Sequence, residues 1–255
     1  MFRLKKKTPT PAPVTYRLPG GMLWEDALVM LDSAHALIAG ATGSGKSTTF
    51  HALMWTALSA SPARRQFILI DTKRGVELKR YRSLPHTIRF AKTTEEALSA
   101  LRYAEQVMEA RLGEMDKTDA TMYEGTDLYI VVDELAHLLQ NGGQEALRIL
   151  TTISQLGRAA RVHEILATQD PSRKVLAAQL VKNMTCCLGL RCKDSIDSRQ
   201  VIGRSGCELL PRHGVGILAE GADFRHIGLP LISEEEQAER IAWWSDPQKY
   251  LVGRR

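Results

Sequence analysis

At 255 residues, with 44% apolar and 25% charged side chains, the chain has the composition of a globular protein and the length of one large α/β domain. No apolar run approaches the roughly 20 residues that cross a bilayer, and the opening MFRLKKKTPTPAP lacks the apolar stretch of a secretory signal. The net charge of +5 is concentrated in Arg3, Lys5, Lys6 and Lys7, so the rest is nearly neutral and any nucleic-acid surface must be a local patch.

The expected location is the cytoplasm. Residues 1–20 read as a basic flexible tail and linker, 21–245 as one α/β domain, and 246–255 as a second tail. In chain order the patterns give a strand at 34–39, a helix at 45–60, strands at 66–71 and 86–90, and a helix at 94–113. A strand at 127–133 follows, then a helix at 145–160, a strand at 162–168, a helix at 174–181 and a strand at 184–191. The series closes with a helix at 195–201, strands at 214–219 and 223–229, and a helix at 234–244. Runs such as FILI and YIVV are apolar at consecutive positions, as in strands covered on both faces. Thr93 with Glu96, and Ser233 with Glu236, have capping-box spacing. Repeated alternation predicts a mainly parallel, doubly wound sheet, with the last two strands as an antiparallel edge hairpin. Cys186, Cys187, Cys192 and Cys207 lack paired metal-ligand spacing and read as buried thiols.

Between the first strand and its helix stands Gly40-Ala41-Thr42-Gly43-Ser44-Gly45-Lys46-Ser47, a full G-x-x-x-x-G-K-[ST] match followed by Thr48. Such a loop turns its backbone N–H groups toward phosphate oxygens at a helix N-terminus. Lys46 is then expected on the β- and γ-phosphates of ATP, and the Ser47 hydroxyl on magnesium. The strand LYIVV ends in Asp133 and Glu134, at the sheet edge where ligands bind. Asp133 suits the magnesium shell, although it would also serve as a helix cap. Glu134 suits polarisation of the attacking water, the work that hydrolysis needs beyond binding. Another strand ends in Ala167-Thr168-Gln169, where the Gln169 amide can bond both a water and a phosphate oxygen. Arg158 and Arg161 precede that strand and also suit a surface helix end.

HALIAGATGSGKST, ILIDTKRGVEL, IVVDELAHLL, GRAARVHEILATQDPS and KDSIDSRQVIG occur in that order. Together they resemble the FtsK/SpoIIIE family of double-stranded DNA translocases, within the group that includes HerA and the conjugative coupling proteins. The resemblance spans about residues 30–230 and implies a RecA-like ATPase fold, a homohexamer with ATP between subunits, and duplex DNA in the pore. It matches Arg158 to an arginine finger acting in trans and Gln169 to a nucleotide sensor. It also places Arg173, Lys174, Lys193 and Arg199 on DNA-facing loops, although the first three equally suit solvated helix ends. Here Asp170 replaces a basic residue of the pattern, and Ser195 stands where the pattern has lysine.

The resemblance implies a bare motor module served by a separate loading or anchoring protein, as in a phage or mobile element. Two other readings stay open: an ATPase of protein secretion or conjugative coupling, which Asp170 suits, and a nucleotide-dependent scaffold without processive motion.

Overall fold

Eight strands form one sheet in the order β3-β2-β4-β5-β1-β6-β7-β8. They are β1 His35–Ala39, β2 Arg65–Ile70, β3 Thr87–Ala91, β4 Asp127–Val132, β5 Val162–Thr168, β6 Cys186–Gly189, β7 Val215–Glu220 and β8 Asp223–Gly228. Pairings among β1 to β6 are parallel, whereas β6–β7 and β7–β8 are antiparallel, so the expected edge hairpin is present. This computed structural model describes residues 24–246 apart from 74, 174, 230 and 231, together with all but the side chains of 24, 25, 26 and 28. The tail at 1–20, all but the first residue of the tail at 246–255, and Lys174 lie outside the described residues.

The consecutive apolar runs work as expected of a sheet covered on both faces. Phe67, Leu69, Tyr129 and Val131 enter one core with Phe50, Leu53 and Trp55 of α2 (Lys46–Leu58). That layer also holds α1 (Trp24–Asp32) and α7 (Glu234–Trp244). Ile68, Ile70, Ile130 and Val132 enter the other, against α3 (Thr94–Thr118) and α4 (Leu135–Leu156). α5 (Ala178–Val181) and α6 (Ser195–Ile202) complete that layer. Burial of this alternating apolar surface is the main stabilising term of the fold. The four cysteines are free and buried, with Cys186 in one core and Cys187 in the other.

Both capping boxes are formed. Three helix boundaries are corrected. The helix expected at 145–160 is α4, which begins at Leu135 and passes a kink at Gly143 (φ 59, ψ −147). α3 runs past Gly113 to Thr118, where Asp119 ends it in a left-handed conformation. The helix expected at 174–181 occupies only Ala178–Val181. α1 went unassigned in the sequence reading, although Ala27, Met30 and Leu31 have helical spacing and are buried. Of the adjacent tryptophans on α7, Trp244 packs against Trp55 and Trp243 is half exposed.

Candidate functional site

The parallel order sets four strand ends side by side. β1 lies between β5 and β6, and β4 lies between β2 and β5, so the loops after β1, β2, β4 and β5 meet at one sheet edge. The loop after β1 turns into α2 through Gly45, whose φ of 104° favours glycine over any side-chain-bearing residue. A cleft of about 560 Å³ opens there, lined by Gly43, Gly45, Lys46, Ser47, Thr48 and Gln169 among others. Gly40 closes the start of the loop, its N–H bonded to the carbonyl of Thr168 at 3.2 Å. Ser44 Oγ is buried without a hydrogen-bond partner among the described residues, while the Thr48 hydroxyl turns back to the carbonyl of Gly45 at 2.8 Å.

Lys46 is 6% exposed and reaches across to the end of β4. Its Nζ donates to the Asp133 carbonyl at 2.7 Å and lies 3.4 Å from Asp133 Oδ1 and 3.6 Å from Glu134 Oε2. Burial pushes the Asp133 carboxyl above its ordinary range; the charge of Lys46 opposes this and that of Asp71 adds to it. Burial acts on Glu134 in the same sense. There the charge of Lys46, with hydrogen bonds from Thr168, Gln169 and Lys73, carries the net displacement downward. The groups around Glu134 thus favour its ionised form. Glu134 occupies the N-cap position of α4, yet its side chain makes no cap bond. Instead Oε1 accepts from Thr168 Oγ1 at 2.8 Å and from the Gln169 N–H at 3.0 Å. The Gln169 side chain joins the phosphate loop directly, for Thr42 Oγ1 donates to its Oε1 at 2.9 Å.

The site thus brings together Gly40, Thr42, Gly43, Ser44, Gly45, Lys46, Ser47, Thr48, Asp133, Glu134 and Gln169. Arg158 stands apart, exposed in the turn before β5. Seven residues of strand separate that turn from Gln169, roughly 20 Å at the usual rise. Its guanidinium has no hydrogen bond or ion pair among the described residues, whereas Arg161 is tied to Asp127 by an Nε–Oδ1 bond of 2.8 Å. Sequence reasoning missed Thr168, Lys73 and the cleft-lining His213, Gly214 and Leu229. The ILIDTKRGVEL run, which carries Lys73, and the Ala167-Thr168-Gln169 strand end, which carries Thr168, offered signals.

The loops after β5 and β6, with helix α6, carry the other candidates. Arg173, Lys193 and Arg199 are exposed, and Arg199 Nη2 bonds Ser195 Oγ at 3.2 Å. Asp170 is exposed as well, but its carboxylate staples its own loop by accepting from the Ser172 N–H at 3.0 Å. Asp194 caps α6, accepting from the N–H groups of Ile196 and Asp197 at 2.8 and 3.0 Å. Burial raises the Asp197 carboxyl, and Asp194 and Asp170 raise it further, so the basic residues stand in a field of mixed sign.

Residues 11–127 match the sequence model of the FtsK/SpoIIIE family. DNA translocase FtsK of Chlorobaculum tepidum is 36% identical over 201 residues, covering 69% of this chain and 24% of that protein. DNA translocase FtsK of Borreliella burgdorferi is 33% identical, covering 71% and 25%. The chain therefore spans about a quarter of the length of the curated relatives it matches. Among solved structures, the pCW3 conjugation coupling protein TcpA superposes with a TM-score of 0.74 at 24% identity, covering 88% of this chain and 66% of that one. The cytoplasmic domain of the Thermomonospora curvata type VII secretion ATPase EccC gives 0.72 at 24% identity, covering 84% and 28%. These likenesses establish the RecA-like P-loop ATPase fold. Among the described residues no helix is long and apolar enough to cross a membrane.

Proposed function

We propose that this chain, which belongs to the FtsK/SpoIIIE family, couples ATP hydrolysis to the movement of double-stranded DNA as one subunit of a cytoplasmic homohexamer. The observation that carries the chemistry is the meeting of Lys46, Asp133, Glu134 and Gln169 at the mouth of the phosphate loop. The cleft suits a nucleotide. Its lining pairs glycine backbone with one buried ammonium and the Ser47 hydroxyl, and the Asp133 carboxylate beside Lys46 adds the hard oxygen that magnesium takes.

Ser47 and Asp133 would hold the ion, which supplies charge neutralisation on the phosphates when bound. Lys46 serves the ground state by balancing phosphate charge. Glu134 polarises the attacking water, and its capacity to do so depends on what else its two oxygens accept. Gln169 is bonded to Thr42, so a change at the phosphate loop reaches the loop after β5 through one hydrogen bond. Arg158 lies too far from its own cleft to act there and is assigned to the cleft of a neighbouring subunit. Arg173, Lys174, Lys193 and Arg199 are assigned to duplex phosphates, which supply affinity without sequence information.

Asp170 favours a second reading, movement of a protein chain, because an acid beside a polyphosphate opposes binding. The deciding experiment is ATP turnover with duplex, single-stranded and no DNA, at low and raised salt. Duplex DNA should raise turnover, and the effect should fade as salt rises. Absence of both binding and stimulation by duplex DNA at low salt overturns the DNA reading.

A further inference from the structure

The ILIDTKRGVEL run has no part in the chemistry above, yet it places a second ammonium on the same carboxylate. Lys73 Nζ donates to Glu134 Oε2 at 3.0 Å, across 61 residues of sequence. The lysine side chain is 43% exposed and its partner 3%.

The loop that carries it is tied at several points. Asp71, fully buried at the end of β2, accepts from the N–H groups of Glu77 and Leu78 through Oδ2, both at 2.9 Å. The Gly75 N–H donates to the Asp71 carbonyl at 3.1 Å. Thr72 Oγ1 pairs with His137 Nδ1 at 2.8 Å, which joins the loop to α4 three residues after Glu134. A lone surface lysine gives up rotamer entropy to hold one geometry. Here both ends of the contact are built, the loop by Asp71 and the carboxylate by Thr168 and Gln169.

A carboxylate offers about four lone-pair positions. At Glu134 the donors are Thr168 Oγ1 on Oε1, the Gln169 N–H shared between both oxygens at 3.0 and 3.3 Å, and Lys73 on Oε2. These three donors make four contacts, two on each oxygen, so an attacking water must displace one of the contacts. Besides Lys73, the donors are the buried hydroxyl of Thr168, the last residue of β5, and the backbone N–H of Gln169 directly after it, both held by the sheet. Lys73 is half exposed on a loop, so it is the donor that can leave.

We propose that Lys73 is a positioning residue that holds the carboxylate of Glu134 away from water until cargo engages, and so keeps cargo-free ATP turnover low. The proposal rests on the reading of Glu134 as the water-polarising group. The loop of Lys73 opens on the same sheet edge as the loops that carry Arg173 and Lys193, so movement of that edge can draw the lysine off.

The test is steady-state ATP turnover of the full chain with and without duplex DNA, for wild type, Lys73→Ala, Lys73→Met and Lys73→Arg. Loss of the cation should raise cargo-free turnover by about three- to tenfold, modest against the about 10²–10⁴-fold that general-base catalysis supplies. Stimulation by DNA should shrink by the same factor. Lys73→Arg should return the rate toward wild type, and Lys73→Met separates loss of charge from loss of the side-chain stem. Unchanged or lower cargo-free turnover in both neutral variants overturns the proposal. Glu134→Gln run alongside tells the two ideas apart. If it is inactive while Lys73→Ala behaves as wild type, only the role of Lys73 falls; if it turns over normally, the underlying reading falls as well.

Discussion

Lys46 and Glu134 share one buried cluster but make different demands on the nucleotide. Glu134→Gln keeps the volume of the site and an oxygen for Thr168 and the Gln169 N–H while removing the base and the acceptor for Lys73, so ATP should remain bound and turnover should fall by about 10²–10⁴-fold. Lys46→Ala removes the ammonium that balances phosphate charge, so binding itself should fail. Fluorescent-nucleotide titration beside a turnover assay checks both, and normal turnover in Glu134→Gln would falsify its role. A second residue, remote from this cluster, predicts a pH dependence. Burial, helped by the charge of Arg80, lowers the pKa of His51 to about 4, and its Nδ1 lies 2.7 Å from the Tyr81 hydroxyl. The folded pKa is depressed, so the unfolded chain takes up the proton first. This stability is present above the ordinary 6.5 and is lost as pH falls toward about 4. His51→Asn retains an acceptor for Tyr81 but cannot titrate. The advantage of wild type over this variant should therefore shrink by about 2 kcal/mol between pH 7 and pH 5, read from denaturant midpoints. A constant difference would remove His51 from the acid response. His35, also lowered to about 4, is a poorer probe because Glu164 beside it, raised by burial, titrates in the opposing sense.

At the scale of elements, the strands were legible because each apolar run is short, covered on both faces and bounded by turn residues. The phosphate loop and the acid pair could be placed on strand ends for the same reason. Helix limits were less legible wherever glycine intervened, because residue type alone does not say which conformation the fold imposes. Gly113 sits inside α3 with helical geometry, and an added Cβ meets nothing within 4 Å. Gly143 kinks α4 at φ 59°, where a side chain is strained whatever the space. Two substitutions separate these cases. Gly113→Ala should stabilise the protein by about 0.5–1 kcal/mol, and Gly143→Ala should destabilise it by at least as much. Equal effects in thermal melts would contradict the assigned backbone. The contacts around Glu134 were illegible for another reason. Lys73 and Thr168 reach it only because β2 and β5 both flank β4, and that order is a property of the sheet rather than of any local stretch.

For the whole molecule, the separation of Arg158 from its own cleft turns a residue assignment into a statement about assembly. Glu134 lies at the carboxyl edge of the sheet and Arg158 at the amino edge, with β5 between them. If both serve hydrolysis, one chain cannot complete a site with its own pair, and each cleft borrows its arginine from the next copy. Arg158→Ala should then bind ATP nearly as wild type does, yet hydrolyse it about 10³-fold more slowly or worse, as for other trans-acting arginines. Alone, Arg158→Ala and Glu134→Gln should each show only residual turnover. Mixing them creates interfaces in which the intact Glu134 of one chain meets the intact Arg158 of another, so activity should partly return. Mass measurement with nucleotide and duplex DNA must show a ring-sized particle, and subunit exchange must be demonstrated with labelled chains. No recovery with exchange demonstrated would place Arg158 outside catalysis. A particle that stays monomeric under those conditions would remove the ring, and an arginine that reaches no cleft of its own would then be left without a phosphate to meet.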